Sequence, residues 1–297
     1  MTAIDTPVII EVALNGATKK SRNPRVPISV DELAADAIAC LDAGAHIIHQ
    51  HDDLGDGAML GGASPTAMAD KAGAFYRQVL ASAPDALLYP TSNWPGDIEF
   101  RWGHQVHLAE SGLIRMAYVD PGSVNIGPLD ADGLPQADGS LVYAHSYADI
   151  AWMMAQCESL ALAPSLAIFE PGFLRVVRAY ENAGRMPAGA FVKLYFGDRL
   201  PFGFPPTRSA LNAYLDLMGD SELPWAVAVL GGDVLASGLA RQALEAGGHL
   251  RVGLEDYAGE EQPTNLQLLE QAVALCADVG RPVASRDEAK AILGLTA

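Results

Sequence analysis

A chain of 297 residues, half of them hydrophobic and 19% charged, has the composition of a large globular domain, which excludes an intrinsically disordered chain. The formal net charge of −17 excludes a surface built for nucleic acid or anionic lipid, because either partner needs clustered Lys and Arg. No apolar stretch approaches the roughly 18 residues of a membrane span, Met1 to Ala13 lacks a signal-peptide pattern, and Cys40, Cys157 and Cys276 stand far apart with no CxxC pair, so a cytoplasmic protein without disulfides is expected.

Short β-branched runs alternate with longer amphipathic stretches along the whole chain. Val8 to Leu14 is the first run, and a loop carrying Lys19, Lys20, Arg22 and Arg25 follows it. Ser29-Val30-Asp31-Glu32 is a capping box, which opens a helix that ends at Gly44. The next runs are His46 to His51, Ala86 to Thr91 and Ile114 to Val119. Asp120 to Tyr143, rich in Gly, Asp and Pro, is the longest irregular stretch. Ser165 to Glu170, Phe191 to Phe196, Trp225 to Leu230 and His249 to Leu254 complete eight runs, and a second capping box, Ser285-Arg286-Asp287-Glu288, opens a last short helix. The turn before the second run, Leu41-Asp42-Ala43-Gly44-Ala45-His46, resembles the one before the eighth, Leu244-Glu245-Ala246-Gly247-Gly248-His249. A tight αβ turn that needs glycine explains the likeness without internal duplication. Eight strand and helix pairs predict an α/β fold, a single (β/α)8 TIM barrel over residues 1–297 with a short extra C-terminal helix.

The C-terminal ends of barrel strands carry catalysts, and two such ends hold notable residues. His49-Gln50-His51 closes the second run, and residues two apart on a strand point to one side, which makes a two-imidazole platform. A lone HxH also fits two hydrogen-bonded core histidines. Glu255-Asp256 after the eighth run changes the balance, because strands two and eight both flank strand one in a closed barrel. A carboxylate from there completes a His-His-carboxylate zinc site with one open position. Arg251 lies four residues before Glu255 on the same strand face, a costly place for a charge unless Asp256 or an anionic ligand neutralises it. Lys19 to Arg25 reads either as a solvated loop or as an anion guide at the barrel mouth. His104, His107 and His145 show no ligand spacing and are assigned to core or surface.

Taken together, Ala13-Leu14-Asn15-Gly16-Ala17, Ala43 to His51 and Gly248 to Asp256 resemble the β-keto acid cleavage enzymes nearly end to end, with Val124-Asn125-Ile126-Gly127, Trp225-Ala226-Val227-Ala228 and Gly280-Arg281-Pro282 at further family positions. The resemblance implies a zinc-dependent TIM-barrel transferase, usually a homotetramer, with Zn2+ on His49, His51 and Glu255. It further implies a retro-Claisen exchange in which a β-keto acid and acetyl-CoA become an acyl-CoA and acetoacetate. Asp256 is then the base or charge relay, oriented by Arg251, and Thr91 and Ser92 are the hydroxyls that hold a carboxylate or a water.

Two departures stand out. The chain reads His51-Asp52-Asp53 where the family pattern HxHxR has a basic residue two after the second histidine, and Gly197 to Gly203 lacks the adjacent-glycine run of the sixth-strand loop. Family members with an amino-substituted substrate carry acids after the Gly-Ala of strand one and on strand five; the matching positions here are Thr18 and Ala167. A neutral-tailed or anionic β-keto acid is therefore expected, with Glu11 and Glu170 the acids most able to restore the missing charge. A zinc-barrel carbon–carbon lyase or hydrolase working without CoA, and a non-catalytic metabolite-binding barrel, are the competing readings.

Overall fold

The computed structural model describes residues 6–52 and 63–295; Asp53, quoted above as a departure, lies outside them. The elements in chain order are β1 (Ile10–Ala13), α1 (Val30–Asp42), β2 (Ile47–Gln50), α2 (Pro65–Ser82), β3 (Leu87–Pro90), α3 (Ile98–Glu110) and β4 (Met116–Val119). A hairpin of β5 (Val124–Ile126) and β6 (Leu141–Tyr143) comes next, then α4 (Tyr147–Ser159), β7 (Ala163–Ile168), α5 (Pro171–Asn182), β8 (Phe191–Gly197) and α6 (Arg208–Met218). The chain ends with β9 (Trp225–Leu230), α7 (Leu239–Glu245), β10 (His249–Val252), α8 (Asn265–Val279) and α9 (Arg286–Ile292).

Eight parallel strands form one sheet in the order β3-β2-β1-β10-β9-β8-β7-β4. Strands β3 and β4 lie side by side and close the ring without a paired ladder. This is the predicted TIM barrel, with α9 as the extra C-terminal helix. The strands read as largely apolar runs because both faces are covered: the residues of β1, β2, β3 and β4 are all buried. Both predicted capping boxes form, on Ser29 with Glu32 and on Ser285 with Glu288. The recurring Gly-His turns have a structural purpose. His46 Nδ1 accepts the Ile10 backbone N–H at 3.0 Å and His249 Nδ1 accepts that of Ile9 at 3.0 Å, so both pin β1 at the N-terminal face of the barrel, where side chains serve stability.

Two expectations need correction. The long stretch after β4 is not wholly irregular, since β5 and β6 pair antiparallel and return Tyr143 to the position opposite Val124. Strand β10 ends at Val252, so Glu255 is not on a strand face. Gly253 turns the chain there with φ of +135°, and a Cβ at that position would lie 2.1 Å from the Ala13 carbonyl oxygen. Only glycine lets the chain cross β1 so closely.

Candidate active site

The sheet order sets β2 and β10 on either side of β1, with Ala13 paired to His49 and Val12 to Val252. His49 Nε2 lies 3.3 Å from Glu255 Oε2, and His51 Nε2 lies 3.4 Å from Glu255 Oε1. The three ligand atoms fall within 4.8 Å of one another. His49 is fixed from behind, because its Nδ1 donates to the Tyr89 carbonyl at 3.2 Å and its ring stacks on Tyr89 at 4.5 Å between centroids. That tautomer leaves the Nε2 lone pair aimed at Glu255. His51 is fixed through its backbone: Asn15 Oδ1 accepts its N–H and Asn15 Nδ2 donates to its carbonyl, both at 2.8 Å. At Gly16 a Cβ would lie 2.3 Å from Glu255 Cγ, so a bare backbone is what admits the carboxylate.

The electrostatics suit a bound cation. Burial holds His49 well below its ordinary pKa, hence neutral and able to ligate. Burial opposes ionisation of Glu255, but the Arg251 guanidinium foremost outweighs it and keeps the carboxyl well below its usual range. Glu255 Oε2 is nevertheless a buried oxygen with no hydrogen-bond partner among the described residues. Two imidazole nitrogens, one ionised carboxylate and an orphaned oxygen together fit a divalent ion of the zinc type, which takes N and O donors and in enzymes keeps a position open.

Arg251 finds the predicted partner and two more. Its Nε donates to Asp256 Oδ2 at 2.8 Å, its Nη2 lies 2.8 Å from Glu255 Oε1, and its Nη1 donates to Glu11 Oε1 at 2.5 Å. The turn at Gly253, rather than strand alternation, brings Glu255 back to it. Burial pushes the Asp256 carboxyl above its ordinary range, with Arg251 opposing and Glu255 adding to the shift. A carboxylate raised in this way is a stronger base than an exposed one.

Above the triad opens a cavity of about 940 Å3 lined by Thr91, Ser92 and Asp256, among others. Thr91 and Ser92 sit just past β3, and the Tyr118 hydroxyl donates to Ser92 Oγ at 2.9 Å. The cavity floor also holds polar residues that sequence reasoning did not single out. Lys193 Nζ donates to the Tyr89 hydroxyl at 2.6 Å, and that hydroxyl donates to Glu11 Oε1 at 2.6 Å. Asp120 accepts from the Tyr143 hydroxyl at 2.5 Å, and burial pushes its carboxyl up to about 6. Their only sequence signal was a charged residue within or just after an apolar strand.

The two acids named as possible replacements are otherwise engaged. Glu11 serves Arg251 and Tyr89, and Glu170 Oε1 accepts the Gly203 backbone N–H at 3.0 Å outside the cavity lining. Thr18 donates its hydroxyl to the Leu254 carbonyl at 2.6 Å. The basic loop divides: Lys20 pairs with Glu32 at 2.6 Å and Arg25 reaches Gln267, whereas Lys19 and Arg22 line the cavity mouth, as does Arg199 from the sixth-strand loop. His104 and His145 are buried away from the cavity lining and His107 is half exposed, as assigned. Asp52, between the second histidine and Asp53, is buried beside Gln50.

The model of the beta-keto acid cleavage enzyme family matches residues 7–295. A 3-oxoadipate:acetyl-CoA acetyltransferase of Cupriavidus necator is 28% identical over 97% of this chain and 95% of its own. A 3-keto-5-aminohexanoate cleavage enzyme of Acetoanaerobium sticklandii is 25% identical over 97% of this chain and 98% of its own. Among solved structures, ObcA in binary complex with oxaloacetate superposes with a TM-score of 0.64 at 15% identity, covering 94% of this chain and 69% of that one, a likeness of fold alone. The match spans every strand of the barrel and the whole of the triad, and the chain is accordingly an enzyme, a member of the beta-keto acid cleavage enzyme family.

Proposed function

We propose that the chain is a zinc-dependent β-keto acid cleavage enzyme, a single barrel domain that exchanges the acyl group of a β-keto acid with the acetyl group of acetyl-CoA. The products are an acyl-CoA and acetoacetate, so the CH2COO− unit changes its acyl partner and no atoms are gained or lost. The observation that carries this reading is the convergence of His49, His51 and the orphaned Glu255 Oε2 at the foot of the cavity. Bound zinc supplies Lewis-acid polarisation of a carbonyl oxygen. The remaining work falls to side chains. Asp256 takes the proton from the carbon between the keto and carboxylate groups, held in place by the two bonds from Arg251. Thr91 and Ser92 orient the substrate by hydrogen bonding to its carboxylate or to a water. Lys19, Arg22 and Arg199 at the mouth favour the phosphates of CoA.

The relatives' names contain both an anionic and a cationic tail, so the family leaves the tail charge open. Here the tail is neutral or anionic. Ala167 offers no carboxylate, Thr18 is committed to Leu254, and an unpartnered ammonium in the cavity would cost several kcal/mol of desolvation. The three buried thiols without disulfides favour a reducing cytoplasm. The exposed Leu134, Val142 and Tyr147 on the segment after β4 favour assembly into the homotetramer that the family implies.

Mass spectrometry of products from a panel of β-keto acids, with and without acetyl-CoA, tests the reaction. Acetoacetate and a new acyl-CoA should form only when acetyl-CoA is present. Turnover without CoA would replace this reading with a CoA-independent zinc lyase.

A further inference from the structure

Lys193 has no part in the reaction proposed above, yet it stands in the barrel interior with 3% of its surface exposed. A charged amine in such a place is costly unless something offsets its desolvation. Its neighbours in the sheet are small: the register pairs Lys193 with Ala167 on β7 and with Ala226 on β9. Two methyl groups leave the side chain free to cross the barrel, where the ammonium lies 4.9 Å from the Tyr89 ring and 5.8 Å from that of Tyr195. An ammonium has three donors. The Tyr89 hydroxyl accepts one at 2.6 Å, and Glu11 Oε1, 3.6 Å away, is already bonded to Arg251 and Tyr89. Donor capacity remains, and Lys193 lines the cavity.

The charges around it agree. Glu11, Asp120, Glu255 and Asp256 face Arg251 and Lys193 in the interior, and a divalent ion on the triad would bring the two signs level.

We propose that Lys193 is the carboxylate receptor of this site, a substrate-binding residue whose ammonium, held at the cavity floor by Tyr89, takes a carboxylate of the β-keto acid. The inference rests on the reaction proposed above and deepens it. The carboxylate is either the reacting one or a second one at the end of the tail, and substrate comparison separates the two.

The test uses the metal-loaded enzyme, its Lys193→Met variant, and Ala167→Leu, which adds bulk to the cavity wall at the position paired with Lys193 and leaves the charge in place. Calorimetry with glutarate and with butyrate reads binding, and kcat/KM is measured on a dicarboxylic and a monocarboxylic β-keto acid of equal length. Loss of a hydrogen bond to a charged group predicts glutarate binding weakened about 10- to 100-fold in Lys193→Met, with a loss in the same direction in Ala167→Leu. If kcat/KM falls only for the dicarboxylic substrate, Lys193 holds the tail carboxylate; an equal fall for both assigns it to the reacting one. Binding of both anions within twofold of the parent overturns the proposal, and Ala167→Leu alone decides it should Lys193→Met fail to fold. Because anion binding is read without turnover, an inactive parent enzyme would refute the proposed reaction while calorimetry still decides for or against Lys193.

Discussion

Replacing Arg251 by Met should be the most damaging single substitution in the barrel interior. The guanidinium is 1% exposed and holds three carboxylates, those of Glu11, Glu255 and Asp256, at 2.5–2.8 Å. Methionine retains much of the volume but none of the donors. Removing one partner of a buried ion pair costs roughly 3–5 kcal/mol, because the remaining charge stays desolvated without compensation. Three acids share this cation, and proton uptake by the stranded carboxylates limits the loss to about that range. In a large domain each kcal/mol lowers Tm by roughly 2–4 °C, so a fall of about 6–20 °C is expected. The pH dependence has a definite sign. Glu255 has a folded pKa well below its unfolded value of 4.5, so its contribution is present above that pH and fades as the pH falls. The gap between parent and variant should accordingly be widest near neutrality and narrow below pH 4.5. Denaturant unfolding with chelator present, at pH 7 and pH 4, reads both quantities without interference from metal. A loss under about 1 kcal/mol at pH 7 would refute the claim that Arg251 compensates three buried charges.

Asp256→Asn should keep stoichiometric metal and lose turnover by at least about 100-fold, since the amide preserves shape and cannot accept the proton; near-normal kcat would reject the role. Asn15→Ala should weaken zinc binding about 10- to 100-fold in a chelator competition, because His51 loses both backbone anchors, and an unchanged affinity would show that Asn15 does not support the ligand. Asp120→Asn should stabilise the metal-free protein at pH 8. The parent's Asp120 rises from 3.8 unfolded to about 6 folded, so the parent loses stability as pH climbs through that window, by about 3 kcal/mol for two units. Equal denaturation midpoints for parent and variant at pH 8 would contradict the assigned burial cost.

The fold was legible because the barrel strands are covered on both faces, which makes each a largely apolar run bounded by glycine turns and capping boxes. The triad geometry was legible too, since a two-residue histidine spacing and a carboxylate two strands away need only the sheet order β2-β1-β10 to meet. Two other features were hidden for physical reasons. Lys193 and Tyr89 are 104 residues apart, and Tyr89 and Glu11 are 78 apart, so a single polar residue inside each apolar run reveals nothing until the barrel closes. Tyr143 reaches Asp120 only because β5 and β6 pair across a stretch rich in turn residues, where hydrophobic periodicity carries no signal. The position of Glu255 was foreseen for an incomplete reason: Gly253 already marked a break in the strand, and the turn it permits is what returns Glu255 to Arg251 and the histidines.

Elemental analysis of the purified protein and of His49→Ala, His51→Ala and Glu255→Ala tests the central claim most directly, because each substitution removes one of three protein ligands from one ion. About one zinc per chain in the parent and marked depletion in all three variants is the expected result. Stoichiometric zinc in the three variants would contradict the assignment of the site.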